Sequence, residues 1–221
     1  MDSKSRYIIK DREQSTVAEG FRSLRSMIQN VEDGSLVQVV LFAGASPGEG
    51  NVMAAVNTAA SLAYAGKKVI LIDCDLRKPV LQEIFKLQDR GLTNLINEEI
   101  QISEVLQDSM ITNLKVLTSG PMPSKPLEVL SNAKISEIIK QLRPLADYII
   151  INSSPLIVMS KAIVSDACVL ASKVDGVILI IDSMTIRVKV AQKVLGLLKG
   201  ARAKMIGVVL NNTKGDQDIV Y

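Results

Sequence analysis

Histidine is absent from the 221 residues, and that one absence removes imidazole acid-base chemistry, serine-histidine triads and most zinc sites together. Tryptophan is also absent and aromatic residues make up 3% of the chain, so stacking platforms for nucleic-acid bases are missing. A net charge of +3 is too small to imply a polynucleotide partner, and no nucleic acid is expected. The two cysteines, Cys74 and Cys168, lie in apolar surroundings, where reduced thiols and no disulfide are expected. No apolar run approaches the roughly 20 residues that span a bilayer, and the start Met1-Asp2-Ser3-Lys4-Ser5-Arg6 leads into no signal-like apolar stretch. A cytoplasmic location is the expectation. What remains is ordinary globular composition, 48% apolar and 22% charged, enough for the core of one larger domain.

No repeat, low-complexity tract or linker divides the chain. A short apolar run followed by a helical period recurs, which is the α/β signature. The runs are Val37 to Ala43, Val69 to Ile72, Tyr148 to Ile151, Val177 to Ile181 and Met205 to Leu210, with Leu114 to Leu117 a weaker sixth. Their continuous apolarity predicts strands covered on both faces, hence a mostly parallel sheet. Between them, Ile135, Ile138, Ile139 and Leu142 share one helical face, and Val188, Ala191, Leu195 and Leu198 another, with Gly200 as a helix stop. In such sheets ligands bind beyond the carboxyl ends of the strands, so the segments after each run hold the candidates.

After the first run comes Ala45-Ser46-Pro47-Gly48-Glu49-Gly50-Asn51-Val52, then an Ala-rich helical stretch ending near Gly66. This is the position and spacing of a phosphate loop, in which glycines let backbone N–H groups converge on an anion. A working loop ends Gly-Lys-Ser/Thr, the ammonium meeting the β and γ phosphates and the hydroxyl meeting Mg²⁺. Asn51 and Val52 stand there instead and can do neither. Read alone, Pro47-Gly48 and Gly50 equally fit a plain strand-to-helix turn. The second element is Leu71-Ile72-Asp73-Cys74-Asp75-Leu76-Arg77-Lys78-Pro79, in which strand alternation sends Asp73 and Asp75 to one side. That pair could hold a metal or accept a hydroxyl proton, and the alternative is two solvated acids opening a loop. The third is Tyr148-Ile149-Ile150-Ile151-Asn152-Ser153-Ser154-Pro155, with neutral Asn152 where phosphate-loop proteins usually carry an acid.

With these pieces in order, the chain resembles the bacterial tyrosine kinases of capsule and exopolysaccharide systems, as the free cytoplasmic kinase subunit that works with a separate membrane activator. The resemblance covers nearly the whole chain. It rests on Glu19-x-x-Arg22-x-x-Arg25, the Pro47-Gly48-Glu49-Gly50 loop, the Leu71 to Pro79 segment, and Ser119-Gly120-Pro121-Met122-Pro123-Ser124-Lys125-Pro126-Leu127-Glu128-Val129-Leu130. It implies the phosphate-loop NTPase fold shared with partition and septum-site ATPases. Those proteins differ by an additional lysine near the loop start and by lacking the Gly-Pro-x-Pro segment, so a partition-type switch ranks behind.

The resemblance further implies one domain over 1–221, with an N-terminal arm and oligomerisation helix over 1–35 and a tail over 214–221. In the family the Glu-x-x-Arg-x-x-Arg helix joins subunits into a ring, and tail tyrosines enter a neighbour's active site. Here Val17, Phe21, Leu24 and Ile28 form an apolar stripe, with Glu19, Arg22 and Arg25 off it; a solvated charged face is the other reading. The tail carries one tyrosine, Tyr221, as the phosphorylation candidate. Asn211 matches an adenine-facing asparagine, and a turn residue fits it as well. The implied cofactor is ATP or ADP with Mg²⁺ at Pro47, Gly48, Glu49, Gly50, Asn51, Val52 and Asn211, with Asp73 and Asp75 as metal and catalytic carboxylates. The changes at 51, 52 and 152 point to a catalytically impaired member with weak or lost nucleotide binding. It would act through homo-oligomers, the membrane activator and an active paralogue, and would lie peripheral to the inner membrane face. An active autokinase is the alternative, with Lys78 or a neighbouring subunit's arginines standing in for the lysine.

Overall fold

The computed structural model describes residues 8, 15–31, 36–157 and 166–212. Tyr221 and most of the N-terminal arm lie outside them. Seven strands form one sheet: β1 (Val39–Gly44), β2 (Val69–Cys74), β3 (Leu106–Asp108), β4 (Leu114–Leu117), β5 (Tyr148–Ser153), β6 (Gly176–Asp182) and β7 (Met205–Asn211). Their order is β3-β4-β2-β5-β1-β6-β7, and every pair is parallel except β3 with β4. The six expected runs are all strands. Three-residue β3 was not expected, since Leu-Gln-Asp is too short to show a period, and the pairing of Lys115 with Asp108 at 2.7 Å helps to fix its register.

Two helical layers cover the sheet because each central strand is apolar on both faces. Val39, Leu41, Ala43, Ile70, Ile72, Ile149 and Ile151 turn to one layer. That layer holds α4 (Leu92–Asn97), α5 (Pro126–Ser131), α6 (Ala133–Leu142), α7 (Asp166–Ala171) and α8 (Val188–Gly200). Val40, Phe42, Leu71 and Ile150 turn to the other, with α1 (Thr16–Gln29), α2 (Asn51–Tyr64) and α3 (Leu81–Phe85). At the amino end of the sheet, Asp175 accepts the N–H groups of Gln38 (3.0 Å) and Val39 (2.8 Å) and a two-pronged contact from Arg143 (2.9 and 2.6 Å). This clasp joins the starts of β1 and β6 to the end of α6 and holds the Asp175 carboxyl below its ordinary pKa, against the opposing effect of burial.

Ile135, Ile138, Ile139 and Leu142 are buried, as their spacing predicts. Two other stripes need correction. In α1, Val17 is exposed, and Ala18 joins Leu24 and Ile28 in the core while Phe21 is half-buried. In α8, Val194 and Leu198 are the buried pair, whereas Val188 and Leu195 face outward. In each case the adjacent small or branched residue, Ala18 beside Val17 and Val194 beside Leu195, took the buried position, which helical period alone cannot foresee. Gly200 is the last residue of α8, but the left-handed residue that closes the helix is Arg202 (φ 55°), with Ala203 N–H donating to the Leu198 carbonyl.

Candidate functional site

Parallel pairing of β2, β5, β1, β6 and β7 brings the carboxyl ends of five strands to one rim. The expected loop leaves β1 there, and Gly48 (φ 89°) and Gly50 (φ 90°) take the left-handed conformation that glycine tolerates. At Gly48 an added Cβ would meet nothing within 4 Å, whereas at Gly50 it would stand 2.7 Å from Asn211 Nδ2. That amide donates to the Glu49 carbonyl (3.0 Å), and Asn211 Oδ1 accepts from Asn212 N–H (3.0 Å). Asn211 therefore braces the loop from the end of β7.

Glu49 does not line the cleft. It is 2% exposed, folded behind the loop, where its carboxylate accepts the Ala45 N–H at 2.7 Å. Burial is the largest influence on its pKa, and the net direction is upward. The cleft itself, about 490 Å³, is lined by Pro47, Gly48, Gly50, Asn51, Val52 and Met53 from the loop and α2, by Asp75, Arg77, Lys78 and Val80 after β2, and by Ser154 and Pro155 after β5.

Beneath its floor runs a chain of side chains. Asn51, the first residue of α2 and 6% exposed, donates through Nδ2 to Asn152 Oδ1 (3.1 Å) and to the Ser153 carbonyl (2.8 Å). Asn152 Nδ2 donates to Asp73 Oδ1 (3.0 Å). That oxygen also accepts Asp75 N–H (3.1 Å), and the other oxygen of Asp73 accepts the N–H groups of Val80 (3.0 Å) and Leu81 (3.1 Å). Four donors thus saturate a carboxylate that is fully buried, and desolvation still holds its pKa above the ordinary value.

The two carboxylates are not equivalent. Asp73 is sealed, whereas Asp75 lines the cleft, its Oδ1 accepting the N–H groups of Arg77 (3.3 Å) and Lys78 (3.1 Å). Burial first, and then the nearby charges of Asp73 and Asp166, raise Asp75 to about 6.

Asp166 is the site residue that the sequence did not reveal. It opens α7, is 2% exposed, and binds the Arg77 guanidinium through both oxygens (2.7 and 3.2 Å) while accepting Ser154 Oγ–H at 3.0 Å. Nothing in its neighbourhood forms a motif, so spacing offered no signal. Its charge balances that of Arg77, and among the described residues Lys78 is the exposed cation at the cleft without a carboxylate partner. Glu19, Arg22 and Arg25 lie far along the chain on α1. Arg22 approaches Glu19 at 3.9 Å, and Arg25 reaches α2, donating to the Ser61 carbonyl (3.0 Å) and Oγ (3.3 Å).

Comparison with known proteins agrees with this fold. A family model for an AAA domain matches residues 37–195. The putative tyrosine-protein kinase CapB of Staphylococcus aureus is 33% identical over 214 residues, covering 96% of this chain and 92% of its own. Tyrosine-protein kinase YwqD of Bacillus subtilis strain 168 is 33% identical over 198 residues, with 89% and 81% covered. Among solved structures, the chimeric protein CapA2B2 superposes with a TM-score of 0.84 at 29% identity over 93% of this chain and 88% of that one. The cell division ATPase MinD of Pyrococcus furiosus, at 22% identity and a TM-score of 0.66 over 83% and 76% of the chains, shares the fold. A phosphate-loop frame, a mostly parallel sheet and identity along nearly the full length together place the chain in the bacterial tyrosine-protein kinase family.

Proposed function

We propose that this chain is a catalytically impaired member of its family, acting in polysaccharide polymerisation and export through assembly rather than through phosphoryl transfer. The observation that carries the reading is the closed chain Asn51–Asn152–Asp73, in which neutral amides satisfy one another and the buried acid. The residues present do not fit Mg²⁺, a hard ion that takes oxygen ligands in an octahedron. Asp73 has all its acceptor positions filled, Asn152 turns its NH₂ rather than its oxygen to Asp73, and Val52 offers no oxygen. Of these groups, Asp75 keeps one oxygen, Oδ2, without a hydrogen bond among the described residues. Losing one preorganised electrostatic contact typically lowers a rate by about 10²- to 10³-fold, and here the lysine and two metal ligands are replaced.

In this reading Pro47, Gly48, Gly50, Asn51, Val52 and Asn211 are a nucleotide frame that binds ATP or ADP weakly or not at all. Glu19, Arg22 and Arg25 carry self-association, with a membrane activator and an active paralogue as partners. The test is titration of a fluorescent ATP analogue with and without Mg²⁺, alongside incubation with Mg-ATP and detection of phosphate on Tyr221. Weak, Mg²⁺-independent binding and no phosphotyrosine are expected; Mg²⁺-dependent binding with phosphorylation of Tyr221 would establish the active autokinase instead. Asp75, Arg77 and Lys78 in the cleft are what favour that second reading.

A further inference from the structure

The charge of this chain is segregated. Of its 26 basic and 23 acidic residues, six basic and no acidic ones fall between Ser183 and Asn212, so that stretch carries +6 while the rest sums to −3. The six are Arg187, Lys189, Lys193, Lys199, Arg202 and Lys204, all of them exposed. They belong to α8 and the turns at its two ends.

Alpha-helical geometry sorts this segment into two faces. Val194 and Leu198 bury α8 against the sheet. One edge of the exposed arc carries Val188, 73% exposed, and Leu195, 42% exposed, two turns apart on one line, with Met184, 50% exposed, just before the helix. Lys199 continues that line, and the exposed Lys189 and Lys193 lie about 100° and 140° round the helix from Val188, across the outer side of α8. Three separate apolar side chains among long cations do not form the continuous groove that a partner helix needs. They suit a soft surface with negative charge outside and hydrocarbon just below, where lysine stems lie along the apolar region and the ammonium groups remain with phosphates.

We propose that the outer face of α8 binds directly to membranes containing anionic lipid. The whole positive excess falls in this one segment, and the α1 and α2 layer lies across the sheet from α8, so contact with a lipid surface would leave α1 accessible. This inference does not depend on whether the nucleotide site works.

The test uses the full chain in sedimentation with vesicles of phosphatidylglycerol and phosphatidylcholine, and with vesicles of phosphatidylcholine alone. Binding to the anionic vesicles at low salt, a decline at high salt and no binding to the neutral ones are expected. Replacing Lys189, Lys193 and Lys199 by Gln should lower the partition coefficient on the order of a hundred-fold, from the usual contribution of each cation near an anionic surface. Replacing Val188 and Leu195 by Ser should weaken binding while leaving the melting temperature unchanged, since both side chains face solvent. Absence of binding to anionic vesicles overturns the proposal, as does equal binding by the triple Gln variant. Polyglutamate binding as tight as vesicle binding, with the Ser pair having no effect, would assign the face to an acidic protein segment and overturn it too.

Discussion

Changing Asn152 to Asp restores the acid expected after this strand, and on its own it should destabilise the fold. The Asn152 amide is fully buried and donates to Asp73 Oδ1 at 3.0 Å. In the Asn152→Asp variant that donor becomes a second carboxylate oxygen. Loss of a hydrogen bond to a charged acceptor costs about 1.5–3 kcal/mol. Two charges at that separation repel by about 5–6 kcal/mol at an effective dielectric near 20, so one carboxyl would keep its proton instead. Holding a proton at pH 7 on a group of ordinary pKa near 4 costs about 4 kcal/mol, partly offset by the O–H···O⁻ bond it makes. A net loss of about 2–4 kcal/mol at pH 7 is expected. The native pair then binds a proton that the unfolded chain releases above about pH 4, so stability falls as pH rises, and the loss should shrink by about 2–3 kcal/mol on going from pH 7 to pH 5. Adding Asn51→Lys places an ammonium beside the pair, since Asn51 Nδ2 already lies 3.1 Å from Asn152 Oδ1, and it should recover about 2 kcal/mol or more. Urea unfolding of both singles and the double variant at the two pH values completes the cycle. A single Asn152→Asp loss below about 0.5 kcal/mol with no pH dependence, or additive effects, would refute the idea that these positions share one electrostatic site.

The triple change Asn51→Lys, Val52→Ser and Asn152→Asp is expected to bind ATP in a Mg²⁺-dependent manner where the singles do not; a folded triple variant with wild-type calorimetry would mean that the loop frame is not in a binding conformation. Asp75, raised from 3.8 to about 6 and 7% exposed, lowers wild-type stability by up to about 3 kcal/mol as pH rises from 4 through 6. Asp75→Asn should flatten that part of the unfolding profile, and an unchanged slope would contradict the assignment. Asp175→Ala should cost about 2–3 kcal/mol in chemical denaturation by leaving the N–H groups of Gln38 and Val39 and the Arg143 guanidinium unmatched, and a loss under about 0.5 kcal/mol would show that the clasp contributes little. If the chain self-associates through α1, Arg22→Glu should dissociate it in light scattering and so should high salt, whereas a wild type that stays monomeric at high concentration removes the idea.

Much of the architecture was legible because it is written in local pattern. Runs such as Val69 to Ile72 and Tyr148 to Ile151 are apolar at every position, too short for a helix and enriched in branched residues, as strands buried on both faces are. The loop was legible for the same reason, since Gly48 and Gly50 sit where a strand-to-helix turn needs positive φ. Failures came where a choice depended on distant residues. Strand β3 needs β4 to exist, the buried side of α8 is decided by what the sheet offers, and Asp166 becomes a site residue only when Arg77 and Ser154 reach it from 89 and 12 positions away.

The same limit bears most directly on the altered site. In sequence, Asn51 and Asn152 read as two separate losses, each removing one charged group from a nucleotide site. In the fold they are 101 positions apart and bonded to each other, with the second also bonded to Asp73. Removing one member of a buried charged set leaves the others uncompensated, which costs far more than exchanging both members for neutral groups that still satisfy one another. A lysine at 51 without an acid at 152 would lose its partner, and an acid at 152 without the lysine would press on Asp73. Either intermediate is expected to be less stable than the amide pair, so that the two asparagines behave as one structural substitution. On that expectation the hydrogen-bonded neutral network is self-consistent without the charges, and neither asparagine alone should revert to a charged residue without a loss of stability.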